Sequence, residues 1–524
     1  MKSANGIDCN IVEYGDYQTP VGFSARVCDK LKTFYRLQPD AVLEPTFGIG
    51  NFFEGVIDTF PSAKTLYGIE INAEYYGTAM RMLEQNQQAK PRTQLYNADI
   101  FTFDFCGMKE ELSIEDSLLI IGNPPWVTNS QLSSMSSENL PMKSNFKGHS
   151  GYDAMTGKGN FDIAEYIILK LLSEFAQYKC TLALLCKTVV AKNIVRDMGQ
   201  YPFSVASMDL FSFNANEVFG VNCEAGLLVI QLGKAQKRTC SVYDFETDVR
   251  IREFGWIDQA FYADIQPDTF RANANIDGKC QFEWRQGVKH DCAKVMELRV
   301  DNDGHFINGF GEANQFRIGR FVYPLVKSSD FKTYEILDTR KYVIIPQRKV
   351  NEDTSSIQTR DPGLWEYLEK HGRSLSARKS AIYKNAPKYS IFGIGDYAFA
   401  TYKVGVSGFY KEPVFALIMG DIPIMMDDTC YFISFNRIED AVISLALLNS
   451  PICQTFLKSI AFLDGKRPFT KEVLRRINME KLSGLVSIDY ILEFVNALTI
   501  ECRLTEADYT NYKRSLNSTQ LALF

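Results

Sequence analysis

Over its first 233 residues the chain alternates short apolar runs with longer segments whose apolar residues recur at helical spacing. The runs "AVLEP" (41–45), "TLYGIEI" (65–71), "TQLYNADI" (93–100), "SLLIIGNPP" (117–125), "CTLALLCK" (180–187) and "AGLLVIQL" (225–232) predict strands. "TPVGFSARVCDKLKTFY" (19–35), "NAEYYGTAMRMLEQNQ" (72–87) and "NFDIAEYIILKLLSEFA" (160–176) predict helices. Strands that are apolar along their whole length need cover on both faces, so this alternation predicts an α/β fold with a mostly parallel sheet. After "LGKAQKRT" (232–239) the regularity is lost, and polar stretches such as "NEDTSSIQTRDPG" (351–363) separate aromatic-rich segments. The pattern therefore predicts a first domain over 1–235 and a second, mixed α+β, over 236–524.

Composition narrows the class. With 524 residues, 46% of them hydrophobic and 13% aromatic, the chain is globular and long enough for several cores. No stretch approaches the ~18 to 20 uninterrupted apolar residues of a membrane span, and residues 1–10 lack the layout of a signal peptide. The expectation is a cytoplasmic protein without a membrane partner. The 12 cysteines are scattered with no Cys-x-x-Cys pair, and the four histidines are dispersed, so neither a disulfide framework nor a metal site is expected.

Charge changes the picture further. The net charge of −6 hides a local surplus: residues 340–411 hold 13 Lys and Arg against 6 Asp and Glu. Tyr342, Trp365, Tyr383, Tyr389, Phe392, Tyr397, Phe399 and Tyr402 interleave with that charge, which suits a surface that tracks phosphates and contacts bases.

The candidate chemistry lies at the strand ends. In "VLEPTFGIG" (42–50), Gly48 and Gly50 let the backbone approach a ligand, but there is neither G-x-G-x-x-G spacing nor a Walker lysine, so a pyrophosphate site is not supported. Glu44 could hold a cationic amino-acid moiety. Glu70, about 20 residues beyond the glycine loop, stands where an acidic residue grips ribose hydroxyls. Asp99 in "NADIF" could accept from an adenine amino group. A single carboxylate at a strand end is usually a cap or a surface charge; three at successive ends argue for a site. "IIGNPPW" (120–126) then places two prolines after a buried strand, which stops ladder pairing and stiffens the chain around Asn123 and Trp126.

Taken in order, "YQTP" (17–20), "VLEPTFGIG", "GIEIN" (68–72), "NADIF", "IIGNPPW" and "NEVFGVNCEAGLLVI" (216–230) resemble the amino-methylating DNA methyltransferases of the γ class. The resemblance covers the first 233 residues and implies a Rossmann-like domain that uses S-adenosylmethionine and makes N6-methyladenine. It implies that Thr19, Glu44, Gly48, Gly50, Glu70 and Asp99 bind the cofactor. Asn123, Pro124, Pro125 and Trp126 would form the catalytic loop, with Trp126 and Phe219 contacting a base flipped out of duplex DNA. The polar segment 127–159 resembles a mobile loop that covers that base. The rest of the chain would be the target-recognition domain, where Arg348, Lys349, Arg378, Lys379, Lys403, Lys466 and Arg467 are candidate DNA contacts. A restriction-modification or related defence system, with a separate cognate endonuclease or defence subunit as partner, is the implied setting.

An exocyclic adenine amine is a poor nucleophile because its lone pair is delocalised into the ring. Acceptors on the Asn123 side chain and the Pro124 main chain could take both amine hydrogens and turn the lone pair toward the methyl donor. Cytosine N4 poses the same problem and remains an alternative, as do methylation of RNA or of a protein glutamine, and a silent binding subunit. "PD" (267–268) with "EWR" (283–285) mimics a nuclease motif but ends in Arg285.

Overall fold

The computed structural model describes residues 18–85, 91–113, 115–127, 162–198, 203–265, 275–463 and 465–517. The chain forms two compact units, Met1–Ile265 and Gln266–Phe524.

The first unit is built on one ten-stranded sheet. Its strands are β1 (Ala41–Glu44), β2 (Thr65–Glu70), β3 (Arg92–Asn97), β4 (Leu118–Gly122), β5 (Cys180–Lys187), β6 (Val205–Asn214), β7 (Glu224–Leu232), β8 (Thr239–Asp244), β9 (Arg250–Ile257) and β10 (Ala260–Tyr262). They lie in the order β10-β9-β8-β6-β7-β5-β4-β1-β2-β3. β1 to β5 are mutually parallel, whereas β7 runs antiparallel between β5 and β6. β1 and β4 are buried along their whole length, which is why their sequences are unbroken apolar runs. Helices α1 (Val21–Tyr35), α2 (Asn51–Thr59), α3 (Ala73–Gln85), α4 (Cys106–Glu111), α5 (Ile163–Glu174), α6 (Thr188–Asp197) and α7 (Ala215–Phe219) accompany the sheet. α1 turns Phe23, Val27, Cys28 and Leu31 inward into a core shared with Phe52, Phe53 and Val56 of α2. The sheet approaches this core closely at Gly68 of β2, where an added Cβ would lie 2.7 Å from the side chains of Leu95, Phe47 and Phe53.

The boundary expected at residue 235 moves to 265. Strands β8, β9 and β10 continue the sheet past β6, with β8 parallel to β6 and β9 antiparallel to β8. They form an edge ribbon: β9 is exposed or half-buried except at Phe254 and Gly255, so its sequence lacks the apolar run of a central strand. β6 likewise begins with a bulge and alternates in burial at its ends.

The second unit is mixed α+β. A five-stranded sheet orders Arg285–Gln286, Cys430–Phe435, Tyr402–Ser407, Phe415–Ile418 and Glu335–Ile336. The buried helix Ile438–Leu448 packs on it, flanked by Met479–Leu485, Ile488–Asn496 and Glu506–Asn517. A six-stranded sheet has Glu297–Val300, Lys341–Ile344 and Val322–Val326 at its centre and its own apolar core. Among the described residues no single helix is long and apolar enough to cross a membrane; the pair Ile438–Leu448 and Pro451–Ile460 passes only by joint length and composition, and is bent by 62°.

Candidate active site

The parallel strands end together, and the order reverses between β1 and β4, so a crevice opens beyond their carboxyl ends. It is lined by Thr19, Glu44, Phe47, Gly48, Glu70, Asp99, Phe101, Asn123 and Pro125, among others, and opens to solvent, the empty space including its mouth being about 1000 Å³. Glu44 and Glu70 are the last residues of β1 and β2; Asn123 follows β4 directly, and Asp99 stands two residues beyond the end of β3. Five of the six expected cofactor residues therefore line one pocket. Gly50 does not; with φ 93° it caps α2 and turns the chain into the helix.

Local bonds hold this lining. The Glu70 carboxylate accepts the Gly48 N–H on one oxygen and the Asn72 N–H on the other, both at 2.8 Å, and so fixes the glycine loop. Asp99 accepts the Phe101 N–H at 2.9 Å. Asn51 donates to the Thr19 carbonyl at 2.7 Å and its own carbonyl accepts from Ser24, which ties the segment before α1 to the loop. Lys170 of α5 donates to the carbonyls of Phe101 (2.9 Å) and Phe103 (3.1 Å), clamping the turn that carries Asp99; sequence reasoning missed it.

Glu44 is different. It is 2% exposed, and its Oε2 has no hydrogen-bond partner among the described residues. Burial pushes its carboxyl well above the usual carboxylate range, and the nearby charge of Glu70 adds to the effect. Among the described residues the pocket lining contains three carboxylates and no Lys or Arg. Such a lining favours a ligand with net positive charge and an ammonium group within reach of Glu44.

Asn123 and Pro125 face this pocket, while Pro124 is buried. Trp126 departs from expectation. Its ring is 4% exposed and belongs to the core, its Nε1–H donates to the Leu185 carbonyl at 3.3 Å, and it meets Phe219 edge to face at 5.2 Å. The two aromatics are brought together, but against each other rather than into the pocket. Phe213 and Phe23 extend this cluster behind Phe219, and burial of so much aromatic surface draws both rings inward.

No family model matches the chain. Among solved structures it resembles the type IIL restriction-modification enzyme MmeI, solved in complex with DNA, with a TM-score of 0.54 at 14% identity over 94% of this chain and 71% of that one; this likeness concerns the fold. The type II methyltransferase M.NspV of Nostoc sp. (strain ATCC 29411 / PCC 7524) is 36% identical over 479 residues, 91% of this chain and 98% of the relative. The chain belongs to the type II methyltransferases. These are DNA methyltransferases of the restriction-modification type, and the cofactor is S-adenosylmethionine. The pocket fits that group: the orphaned Glu44 oxygen suits its ammonium, and the carboxylate-rich lining suits its positive charge.

In the methyltransferase's second unit the expected DNA contacts separate into two kinds. Arg348, Lys349, Lys379 and Lys466 are exposed; Arg348 lies 3.9 Å over the Phe399 ring, and Lys349 is 3.8 Å from Asp396. Lys403 is not a surface residue. It is 1% exposed within the five-stranded sheet, and its Nζ donates to the carbonyls of Ala400 (2.6 Å) and Ile424 (3.0 Å). Arg378 is also structural: it donates to the carbonyls of Leu375 (2.8 Å) and Ser390 (2.7 Å) and lies 3.8 Å over Tyr383. Arg467 is half-buried, bonded to the Asp428 carbonyl and 5.0 Å over Phe409. A positive residue count does not distinguish a cation aimed at solvent from one that satisfies buried carbonyls. The segment after Val127 expected to cover the base, and the "PD" of 267–268, lie outside the described residues.

Proposed function

We propose that the chain methylates the N6 amine of an adenine extruded from duplex DNA at a specific sequence. The observation that carries this reading is Asn123, which faces the cofactor pocket at the end of β4 and is followed by two prolines. S-adenosylmethionine supplies an activated methyl group when bound. The chain's own residues hold the two reactants. Glu44 takes the cofactor's ammonium, Glu70 its ribose hydroxyls and Asp99 its adenine amine, while Thr19 and Gly48 shape the approach and Gly50 turns the chain into α2 behind them. The Asn123 side-chain carbonyl and the Pro124 main-chain carbonyl accept the hydrogens of the target amine, which directs its lone pair out of the ring plane.

The amine is out of reach inside a duplex, so the base must leave the stack, and Trp126 and Phe219 are assigned to its faces. Accepting a base there requires their mutual contact to open. Arg348, Lys349, Lys379 and Lys466 are assigned to phosphates, which position without reading sequence. Modification of this kind protects a site from a cognate endonuclease.

The test is transfer of labelled methyl groups to duplex DNA, followed by digestion to nucleosides. Label in N6-methyldeoxyadenosine is expected, and Asn123→Ala should abolish it while cofactor affinity holds. Label in N4-methyldeoxycytidine would replace adenine by cytosine; label only in RNA or protein would sink the proposal.

A further inference from the structure

The loop 123–126 leaves β4 at Gly122, which pairs with Leu184 of β5, and three residues further along β5 stands Lys187. The Lys187 Nζ donates to the Trp126 carbonyl at 2.6 Å and to Asp162 Oδ2 at 2.7 Å. Asp162 is almost fully buried, with 6% of its side chain exposed against 22% for Lys187. Its other oxygen accepts the Ala164 N–H at 3.2 Å and so caps α5. The next residue, Ile163, donates its N–H to the Val127 carbonyl at 2.9 Å. One strand therefore holds both ends of the loop: Leu184 by the sheet ladder before Asn123, Lys187 by its ammonium after Pro125.

This arrangement has a consequence for the acceptors. The prolines fix φ at 124 and 125, and Pro125 confines ψ at Pro124 to the extended range, but variation within that range and at ψ of Pro125 still changes the direction of the Pro124 carbonyl relative to the pocket. Anchoring the Trp126 carbonyl removes that freedom from the far side. We propose that Lys187 is a positioning residue of the methyl-transfer step, setting the orientation of the Asn123 and Pro124 acceptors through the Trp126 carbonyl, with Asp162 aiming the ammonium. Lys187 is not a lining residue of the pocket, so its part is to position the loop. The proposal rests on the reading that those two acceptors hold the target amine.

The test compares Lys187→Met, Lys187→Arg, Asp162→Asn and the double variant Lys187→Met/Asp162→Asn by single-turnover rate, cofactor Kd and melting temperature. Lys187→Met should slow transfer by about 10- to 100-fold, the scale of an ångström-sized misplacement, with cofactor Kd changed by no more than about twofold. Lys187→Arg should recover much of the rate, because a guanidinium can donate to both oxygens. The double variant should be no slower than Lys187→Met alone, since the pair acts as one unit. A Lys187→Met rate within about twofold of wild type overturns the proposal. So does a loss of rate matched by an equal loss of cofactor affinity or by a fall in melting temperature that Lys187→Arg shares, which would make the lysine a fold residue. Additive losses in the double variant also overturn it. Label on cytosine N4 in the wild type would overturn the adenine reading alone, because the same acceptors and the same ratio of rates would apply.

Discussion

Glu44→Gln separates what the buried carboxylate does for the cofactor from what it does to the fold. Glutamine keeps the side chain's size, so a site 2% exposed should accept it without repacking. The unliganded protein holds the Glu44 proton to a higher pH than the unfolded chain does, because burial raises its pKa above the ordinary 4.5. Between 4.5 and that raised value the native state binds more protons than the unfolded state. Stability is therefore greatest below this window, falls as pH rises through it, and stays lower above it. Glu44→Gln should remove that fall, and the unliganded variant should melt higher than wild type at pH near 8.

Cofactor binding should move the other way. An ammonium beside Glu44 favours the carboxylate, so binding releases a proton wherever the pH lies between the bound and free pKa values. Replacing a charge-assisted contact with a neutral one costs about 1.5 to 3 kcal/mol, or roughly 10- to 150-fold in Kd. Isothermal titration in two buffers of different ionisation enthalpy reads both quantities, and thermal melts with and without S-adenosylmethionine read the stability. A variant that binds the cofactor within about threefold of wild type, or releases as many protons, would refute the assignment of the ammonium to Glu44.

Three further outcomes are expected. Trp126→Ala should cost about 3 to 5 kcal/mol and lower the melting temperature of the first unit by roughly 6 to 20 °C, because the ring is core in the DNA-free protein; an unchanged melt would return it to the surface. Lys403, pushed down to about 7 by burial, binds its proton less readily than the unfolded chain does at the ordinary 10.5. Stability of the second unit should therefore rise with pH across that window, and Lys403→Met should flatten the rise in denaturant melts; equal slopes would count against it. Neutralising Arg348, Lys349 and Lys379 should each reduce the salt dependence of DNA binding by a slope of about one, and an unchanged slope after all three would place the phosphate contacts elsewhere.

Much of the first unit was legible because its central strands are buried on both faces. β1, β2, β4, β5 and β7 each appear as an apolar run, and the carboxylates that close β1 and β2 stand at the ends of those runs. The edge ribbon was not legible: β8 to β10 pair through backbone bonds, and their half-exposed faces leave no apolar signature, so the sequence pattern puts the boundary 30 residues early. The direction of the Trp126 ring was hidden for another reason. A tryptophan after two prolines reads the same whether it faces a ligand or Phe219, and only the cluster around Phe213 decides. Lys187 and Lys403 show the same blindness for charge. Each is a single lysine at a strand end or start, and what matters in each case is a carbonyl oxygen, brought near by folding, that no residue pattern records. A lysine directly after the apolar run of β5, next to the pocket's strands, was the available signal for Lys187.

The contiguity of the first unit bears on the order of events during synthesis. Every strand of its sheet, including those that carry Glu44, Asn123 and Lys187, lies before residue 265. A unit made of one continuous segment can close its core while later residues are still being added. At about 5 to 20 residues per second, the remaining stretch of some 250 residues takes roughly 10 to 50 s to emerge. The donor pocket can therefore fill on the ribosome before the second unit exists. Because anything that binds only the folded unit stabilises it, and the cofactor's ammonium gives the buried Glu44 carboxyl a partner, an early-bound donor would protect the half-made chain when it is most exposed to misfolding and proteolysis.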